Sequence, residues 1–416
     1  MKPKVLRPPG ASHRKKLALA AAFRRRSLVA TLIRVCRQRG IAVWLVGGAP
    51  RDALLDRPSL DLDVAVPSGA EAVARALAEA GFGTLVALSE DPPRVFRVAG
   101  RHILDVAELE RPTIAEDLAR RDFTANAIAV DLSTGEWLDP FGGIADITRR
   151  SLRLVRRENL ADDPLRTFRA ARFYATHDLV PDRAVRQACR DFGPRLEGVA
   201  PERVAAELKR LLEAPRIVPA WRFAMRTGLL SPALRPGTPP ARWSAALRVL
   251  ARLELGPLAA SSPERRRVLR LAAIAGSLGL GSAEASAWLR QLRRGASEAG
   301  RVARVLEAAQ TAAGADSPAG PWAWIHDAGT EAGDALSFLA ATRPRAKPLV
   351  RRLRAALART RRAPEISGRD LIGWTGIAPG PEVGRLLREL RIEILSGRVR
   401  NRRQARGWSE DRLRRS

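Results

Sequence analysis

Leu45-Val-Gly-Gly-Ala-Pro-Arg-Asp-Ala-Leu-Leu-Asp-Arg-Pro-Ser-Leu-Asp-Leu-Asp63 is the stretch from which the rest of this chain is read. The apolar run Ile41–Val46 ends in Gly47-Gly48, the pattern of a buried strand entering a turn, and Arg51-Asp52 then open a helix. Leu60–Val66 alternates as a second strand, so Asp61 and Asp63, two apart, project to one face. Neighbouring carboxylates repel unless a cation lies between them. Magnesium, which prefers oxygen ligands, supplies that cation and holds a nucleotide's phosphates. Glycines let a backbone approach a triphosphate, a helix start offers N–H donors, and Arg51 adds charge. Singly, each feature is ordinary: most Asp-x-Asp pairs are solvated strand residues, and Gly-Gly is a common turn. Together, within 17 residues, they describe a nucleotide site at one edge of a small sheet.

Outward from this stretch, Ser27–Arg39 and Glu71–Ala80 have helical periodicity, while Arg94–Val98, His102–Val106 and Ile128–Leu132 read as strands. Asp105, on a neighbouring strand, offers a third carboxylate. After Pro164 the texture becomes Ala- and Leu-rich helix with Arg faces, broken by Pro/Gly clusters near 231–240, 313–321 and 361–368. The expected class is therefore α+β, an α/β head followed by an all-helical remainder. Its parts are a basic N-terminal arm (1–25, mobile and RNA-contacting or simply frayed), a head (26–150), a helical neck (151–215), a helical body (216–345) and a helical tail (346–416).

The 73 Lys+Arg residues against 44 Asp+Glu leave a formal charge of +29 in 416 residues. A polyanionic partner accounts for that excess, nucleic acid before an anionic membrane surface, although a bias toward Arg contributes. Cys36 and Cys189 alone build no disulfide framework or zinc cluster. His326-Asp327 lacks the further nearby His of an HD-type phosphohydrolase. No apolar run reaches the roughly 18 residues of a membrane span. Leu17–Phe23 is followed at once by Arg24-Arg25-Arg26 without a cleavage-like site, so the chain reads as cytoplasmic.

The opening stretch resembles the first motif of the class II tRNA nucleotidyltransferase and bacterial poly(A) polymerase family. Further matches follow in the family's order: Glu116-Asp-Leu-Ala-Arg-Arg-Asp-Phe-Thr-Ala-Asn-Ala-Ile-Ala129, Asp139-Pro-Phe-Gly-Gly143, Asp162-Asp-Pro-Leu-Arg-Thr-Phe-Arg-Ala-Ala-Arg-Phe173 and Ala200-Pro-Glu-Arg-Val-Ala-Ala-Glu-Leu208. The tail, Ile366-Ser-Gly-Arg-Asp-Leu-Ile through Pro379-Gly-Pro-Glu-Val-Gly384, is similar to that of bacterial members. Residues 216–345 carry no match.

The resemblance implies a polymerase-β-like head that adds C and A to the 3′ end of tRNA from CTP and ATP. Asp61 and Asp63 would hold two Mg²⁺ ions, with Asp105 a third ligand or an orienting residue. Gly47, Gly48, Arg51, Arg121, Asp122 and Asn126 would bind the nucleotide, Asn126 at a ribose hydroxyl. Asp163 and Arg166 would pair with the base edge in place of a template, while either Asp162 or Asp163 caps the helix. Arg169 and Arg172 would follow on the same helix, toward phosphate or the base stack. Tail residues Arg398, Arg400, Arg402 and Arg403 fit backbone contacts to the tRNA acceptor arm, or a basic surface.

The sequence departs from the family at Pro50, at Asp56 in place of a usual Gly, and at Asp162 in place of Glu. It departs most between Asp105 and Glu116, where ten residues, Val106–Ala115, replace a longer loop. Loss of that loop is associated with enzymes that stop at CC. CC-adding, A-adding and poly(A)-forming activities are the alternatives within the family. A non-catalytic RNA-binding protein is the alternative outside it.

Overall fold

The computed structural model describes residues 13–57, 61–256, 258, 260–312, 315, 320–360 and 364–415. Residues 1–12 of the expected arm, Leu60 at the start of the second strand, and parts of the 313–321 and 361–368 clusters lie outside the described residues. The chain divides into two compact units, Met1–Val199 with Pro219–Pro236, and Ala200–Val218 with Gly237–Ser416.

The first unit begins with α1 (His13–Arg24), α2 (Ser27–Gln38), β1 (Trp44–Val46), α3 (Gly48–Leu54), β2 (Asp61–Val66) and α4 (Ala70–Glu79). Then come β3 (Thr84–Ser89), β4 (Val95–Ala99), β5 (Ile103–Glu108), α5 (Ile114–Ala119), a 3-10 turn at Thr124–Asn126, β6 (Ala129–Asp131), β7 (Trp137–Leu138) and α6 (Gly143–Thr148). The seven strands lie in the order β3-β4-β5-β2-β1-β6-β7; β2 and β5 are parallel and the other neighbours antiparallel. Because side chains alternate along a strand, β2 turns Leu62, Val64 and Val66 into the core under α2 and α4. Asp61 and Asp63 face the other way and are exposed.

Two short strands, β8 (Ser151–Leu152) and β9 (Val180–Pro181), pair apart from this sheet. Between them run α7 (Glu158–Asp162) and α8 (Leu165–His177), followed by α9 (Arg183–Phe192).

Among the elements that differ from the sequence reading are β3, α1 and the short pair β8 and β9, which lies within the expected helical neck (151–215). Strand β3 was not expected; it is an edge whose Val86 and Leu88 are exposed, so pairing with β4 defines it rather than an apolar alternation. Residues 13–24, expected within the arm, form α1. Ala20 and Phe23, three apart on one face, are buried in the head core. The Trp137 Nε1–H donates to the Lys16 carbonyl at 3.0 Å, and Lys15 Nζ donates to the Leu54 carbonyl at 3.3 Å. Arg24 and Arg25, which suggested an arm, are exposed while that apolar face is buried.

In the second unit α10 (Pro201–Glu213) precedes a stack of helices. Helices α11 (Val218–Arg226, all but its first residue) and α12 (Leu230–Leu234) fall in the first unit, and the second resumes with α13 (Pro240–Glu254), α14 (Pro263–Leu278), α15 (Ser282–Gln291), α16 (Ala296–Thr311), α17 (Gly320–Ala328), α18 (Ala332–Thr342) and α19 (Lys347–Arg359). Val268 through Ala275 of α14 are all buried, the mark of a central helix. The tail helices α20 (Gly368–Thr375), α21 (Pro381–Ser396) and α22 (Arg402–Arg414) close a small core of their own around Leu371, Leu386 and Leu390. Among the described residues no single helix is long and apolar enough to cross a membrane.

Candidate active site

The turn between β1 and α3 is shaped around Asp63. Gly47 has φ +71°, and a Cβ there would lie 2.6 Å from Asp63 Oδ2. Only glycine meets both demands. The Gly48 N–H donates to the Asp63 carboxylate. Pro50, in the first turn of α3, is buried and disrupts nothing.

Asp63 lies directly across from Asp105 on β5 and two residues from Asp61. Its pKa is raised, first by the desolvation of a carboxylate crowded by protein and then by the charges of Asp105 and Asp61. Arg121 and the Gly48 amide only partly oppose them. Solvent reaches Asp61 and Asp63, and the charges of Asp105 and Asp61 crowd Asp63, a setting suited to a hard divalent cation with oxygen ligands. Asp105 is placed differently. Arg97, its cross-strand neighbour on β4, grips it with both donors, Nε to Oδ1 at 2.7 Å and Nη2 to Oδ2 at 2.8 Å. Among the described residues no three His, Cys, Asp or Glu side chains converge on a metal position. The two-donor grip of Arg97 fits the orienting alternative for Asp105.

The second motif separates into reachable and buried residues. Arg121 is about a third exposed at its side chain (30%) and donates to Asp117 Oδ2 at 3.1 Å. Asp117, absent from the sequence reading, is buried and also receives Arg120 Nε at 2.9 Å. Burial alone would raise its pKa, but Arg121 and Arg120 bring it below the usual carboxylate value. Its positions three and four residues before these arginines were the available signal.

Asp122 and Asn126, both expected at the nucleotide and Asn126 at its ribose, are 3% and 5% exposed. Asn126 Oδ1 accepts from Arg51 Nη1 at 2.6 Å, and its Nδ2 donates to Asp122 Oδ1 at 2.7 Å. Arg51, 7% exposed, also donates from Nε to Asp52 at 2.8 Å. Arg172, 6% exposed, stacks over Phe173 at 4.0 Å. These four side chains are buried, whereas Arg121, Asp163, Arg166 and Arg169 are partly exposed.

Asp163 and Arg166 keep a loose pair, Nε to Oδ2 at 3.7 Å, at the start of α8. Asp163, the residue before the N-cap Pro164, accepts from the Leu165 amide at 3.2 Å and faces Arg166, and no side chain caps α8. Arg166 Nη1 is fixed by the carbonyls of Arg120 at 2.7 Å and Asn159 at 3.1 Å. Asn159, also unforeseen, donates to the carbonyls of Ala119 and Arg121 at 2.9 and 2.7 Å and so ties α7 to the second motif. Arg169 pairs with Asp122 at 3.1 Å.

The segment after Asp105 is short and held down. Strand β5 continues to Glu108, and the Leu109 amide donates to the Val66 carbonyl at 2.9 Å. Glu110 pairs with Arg120 at 2.7 Å, and Thr113 and Glu116 form a capping box. Of the tail arginines, Arg398 and Arg402 are paired with Glu393 and Asp370, Arg400 donates to the Gly397 carbonyl at 3.1 Å, and Arg403 is exposed.

A family profile described as Poly A polymerase head domain matches residues 43–153, and one described as Probable RNA and SrmB-binding site of polymerase A matches 178–240. The chain is 43% identical over 195 residues to a CC-adding tRNA nucleotidyltransferase of Geobacter sulfurreducens, 46% of this chain and 45% of that one. That match thus spans under half of the relative's length. An A-adding tRNA nucleotidyltransferase of Deinococcus radiodurans is 32% identical over 421 residues, 88% of this chain and 95% of the relative. The crystal structure of the Bacillus stearothermophilus CCA-adding enzyme in complex with CTP superposes with a TM-score of 0.69 at 27% identity, covering 94% of this chain and 98% of that one.

Proposed function

The chain belongs to the class II tRNA nucleotidyltransferase and bacterial poly(A) polymerase family, and on that premise we propose that it adds C and A to the 3′ end of tRNA. The reaction joins the RNA 3′-hydroxyl oxygen to the α-phosphorus of CTP or ATP, breaks the α–β phosphoanhydride, and releases pyrophosphate. The observation that carries this reading is the Asp61–Asp63 pair, crowded by Asp105, with Gly47 admitting Asp63 to the phosphate turn. Magnesium held by Asp61 and Asp63 would activate the hydroxyl and neutralise charge on the triphosphate and leaving group.

The chain's own residues do the positioning. Arg97 keeps Asp105 aligned beside Asp63. Arg121 meets the triphosphate from the same side as the carboxylates. Asp163 accepts and Arg166 donates at the edge of the base, which distinguishes C and A from U and G without a template. A basic helical surface binding backbone phosphates accounts for the charge of +29, and a tRNA substrate is consistent with a cytoplasmic location.

One observation favours a second reading, addition of CC only. The segment between β5 and α5 is short and tied by the Leu109, Glu110 and Thr113 contacts, leaving little chain to remodel the pocket between C and A.

The test is incorporation into tRNA ending at the discriminator base and tRNA ending in CC, with CTP, ATP and Mg²⁺, followed by sequencing of the ends. CCA ends on both establish the proposal, and ends halting at CC establish the second reading. Long A tails move the chain to the poly(A) branch, and no incorporation leaves an RNA-binding protein. In the same assay Arg166→Ala is expected to weaken discrimination against UTP by about 5- to 150-fold, the worth of a bidentate base contact of about 1–3 kcal/mol. Unchanged selectivity would remove Arg166 from base reading.

A further inference from the structure

We propose that His177 is a positioning residue for nucleotide selection: it closes a polar ring that begins and ends on α8 and fixes the phosphate turn against the base-reading pair. This rests on the reading of Asp163 and Arg166 given above.

The ring can be followed atom by atom. His177, the last residue of α8, places Nε2 3.2 Å from Asp52 Oδ1. Asp52 Oδ1 accepts from Arg51 Nε at 2.8 Å, and Arg51 Nη1 donates to Asn126 Oδ1 at 2.6 Å. Asn126 Nδ2 donates to Asp122 Oδ1 at 2.7 Å, and Asp122 Oδ2 returns to α8 through Arg169 Nη2 at 3.1 Å. Phe173 of α8 fills the middle: its ring lies 5.0 Å from the Arg51 guanidinium, 5.8 Å from that of Arg169, and 5.3 Å from the His177 ring.

Both ends of the ring touch the proposed machinery. A Cβ on Gly48 would lie 3.2 Å from Arg51 Nη2, so Arg51 supports the turn whose amide holds Asp63. At the other side Asp122 feels the charges of both Arg169 and Arg166. Displacement of the ring therefore moves the triphosphate turn and the base reader relative to each other.

His177 is suited to close it. A carboxylate only accepts, so Nε2 carries the proton shared with Asp52; Nδ1 lies 2.7 Å from the Thr176 hydroxyl, which also donates to the Arg172 carbonyl at 2.8 Å. Burial, with Arg51 and Arg172 nearby, pushes its pKa down to about 4 despite Asp52. The neutral ring thus adds a directed donor without placing another cation beside Arg51.

The test uses the full-length protein and three variants, His177→Leu, His177→Gln and Asp52→Asn, each checked for thermal unfolding. Loss of the donor is expected to raise KM for CTP and ATP about tenfold and to increase UMP misincorporation, with kcat within about threefold; small displacements of a reacting geometry have effects of this order. His177→Gln, which keeps an N–H donor, should restore KM and selectivity. Asp52→Asn should resemble His177→Leu, and it serves alone where the leucine variant does not fold. A folded His177→Leu or Asp52→Asn with wild-type KM and selectivity overturns the proposal, as does a glutamine variant no better than leucine. The thermal shift produced by CTP with Mg²⁺ separates the two levels of inference. Wild type that neither shifts nor incorporates sinks the transferase reading itself, and this proposal with it. Wild type that shifts, with variants that shift equally, sinks only the role of His177.

Discussion

Asp63→Asn is expected to lower nucleotide transfer by about 10³- to 10⁵-fold, the loss typical when a charge-stabilising part is removed from a phosphoryl-transfer site. Stability should move the other way. Desolvation and the charges of Asp105 and Asp61 raise the folded-state pKa of Asp63. A raised carboxylate pKa means that stability present at acid pH declines as pH rises from the unfolded value of 3.8 through the folded one. At neutral pH the ionised side chain therefore opposes folding, and the neutral amide relieves that. Thermal unfolding at pH 7 should show a Tm at or above that of wild type, while tRNA binding stays within a few-fold. Mg²⁺ should raise the Tm of wild type with CTP present and have a smaller effect on the variant. An active Asp63→Asn enzyme would remove the metal assignment; an inactive one with a lower Tm would make Asp63 a structural residue.

Arg270→Met should destabilise the second unit by about 3–5 kcal/mol, the cost of breaking a buried ion pair by deleting one partner. Arg270 is fully buried on α14. Its Nη1 donates to the Leu212 and Ala214 carbonyls at 2.7 and 2.6 Å, and its Nη2 donates to Glu254 at 3.0 Å and the Pro215 carbonyl at 3.3 Å. It thus satisfies the C-terminal end of α10, where carbonyls lack partners within the helix. Burial pulls its pKa down to about 10, with Arg266 adding to the fall and Glu254 opposing it, so it remains charged at neutral pH. Methionine fills the volume but leaves those carbonyls without this donor and Glu254 without its countercharge, holding only the Ile217 amide. The measurement is the denaturant midpoint followed by tryptophan fluorescence. Arg270→Lys should lose less, because it keeps the charge while giving up the forked geometry. Equal loss in both variants would point to packing alone.

His177 and Asp63 also show why the site was only partly legible in advance. The carboxylate pair, the glycine turn and the Asp163–Arg166 spacing depend on local periodicity and turn chemistry, and those rules act within a few residues. Whether a polar side chain faces substrate or wall depends on what packs against it from elsewhere. Asn126 and Asp122 sit in a motif that suggests a nucleotide contact, yet Arg51 and Arg169, from α3 and α8, enclose them. Asp52 and His177 are 125 positions apart, and nothing local to either announces their contact.

By itself the sequence determined the α+β class, the order of head and helical remainder, the strand carrying Asp61 and Asp63, and the family. Each follows from side-chain periodicity or from motifs that span a few residues. Tertiary structure decided that α1 belongs to the head core, because the burial of Ala20 and Phe23 outweighs the basic composition around them. It decided that Asp105 answers to Arg97, because strand register sets which side chains are opposite one another. It also decided that Arg51, Asp122, Asn126 and Arg172 are buried. Charged groups shielded from water need partners, and here the partners come from distant segments of the chain.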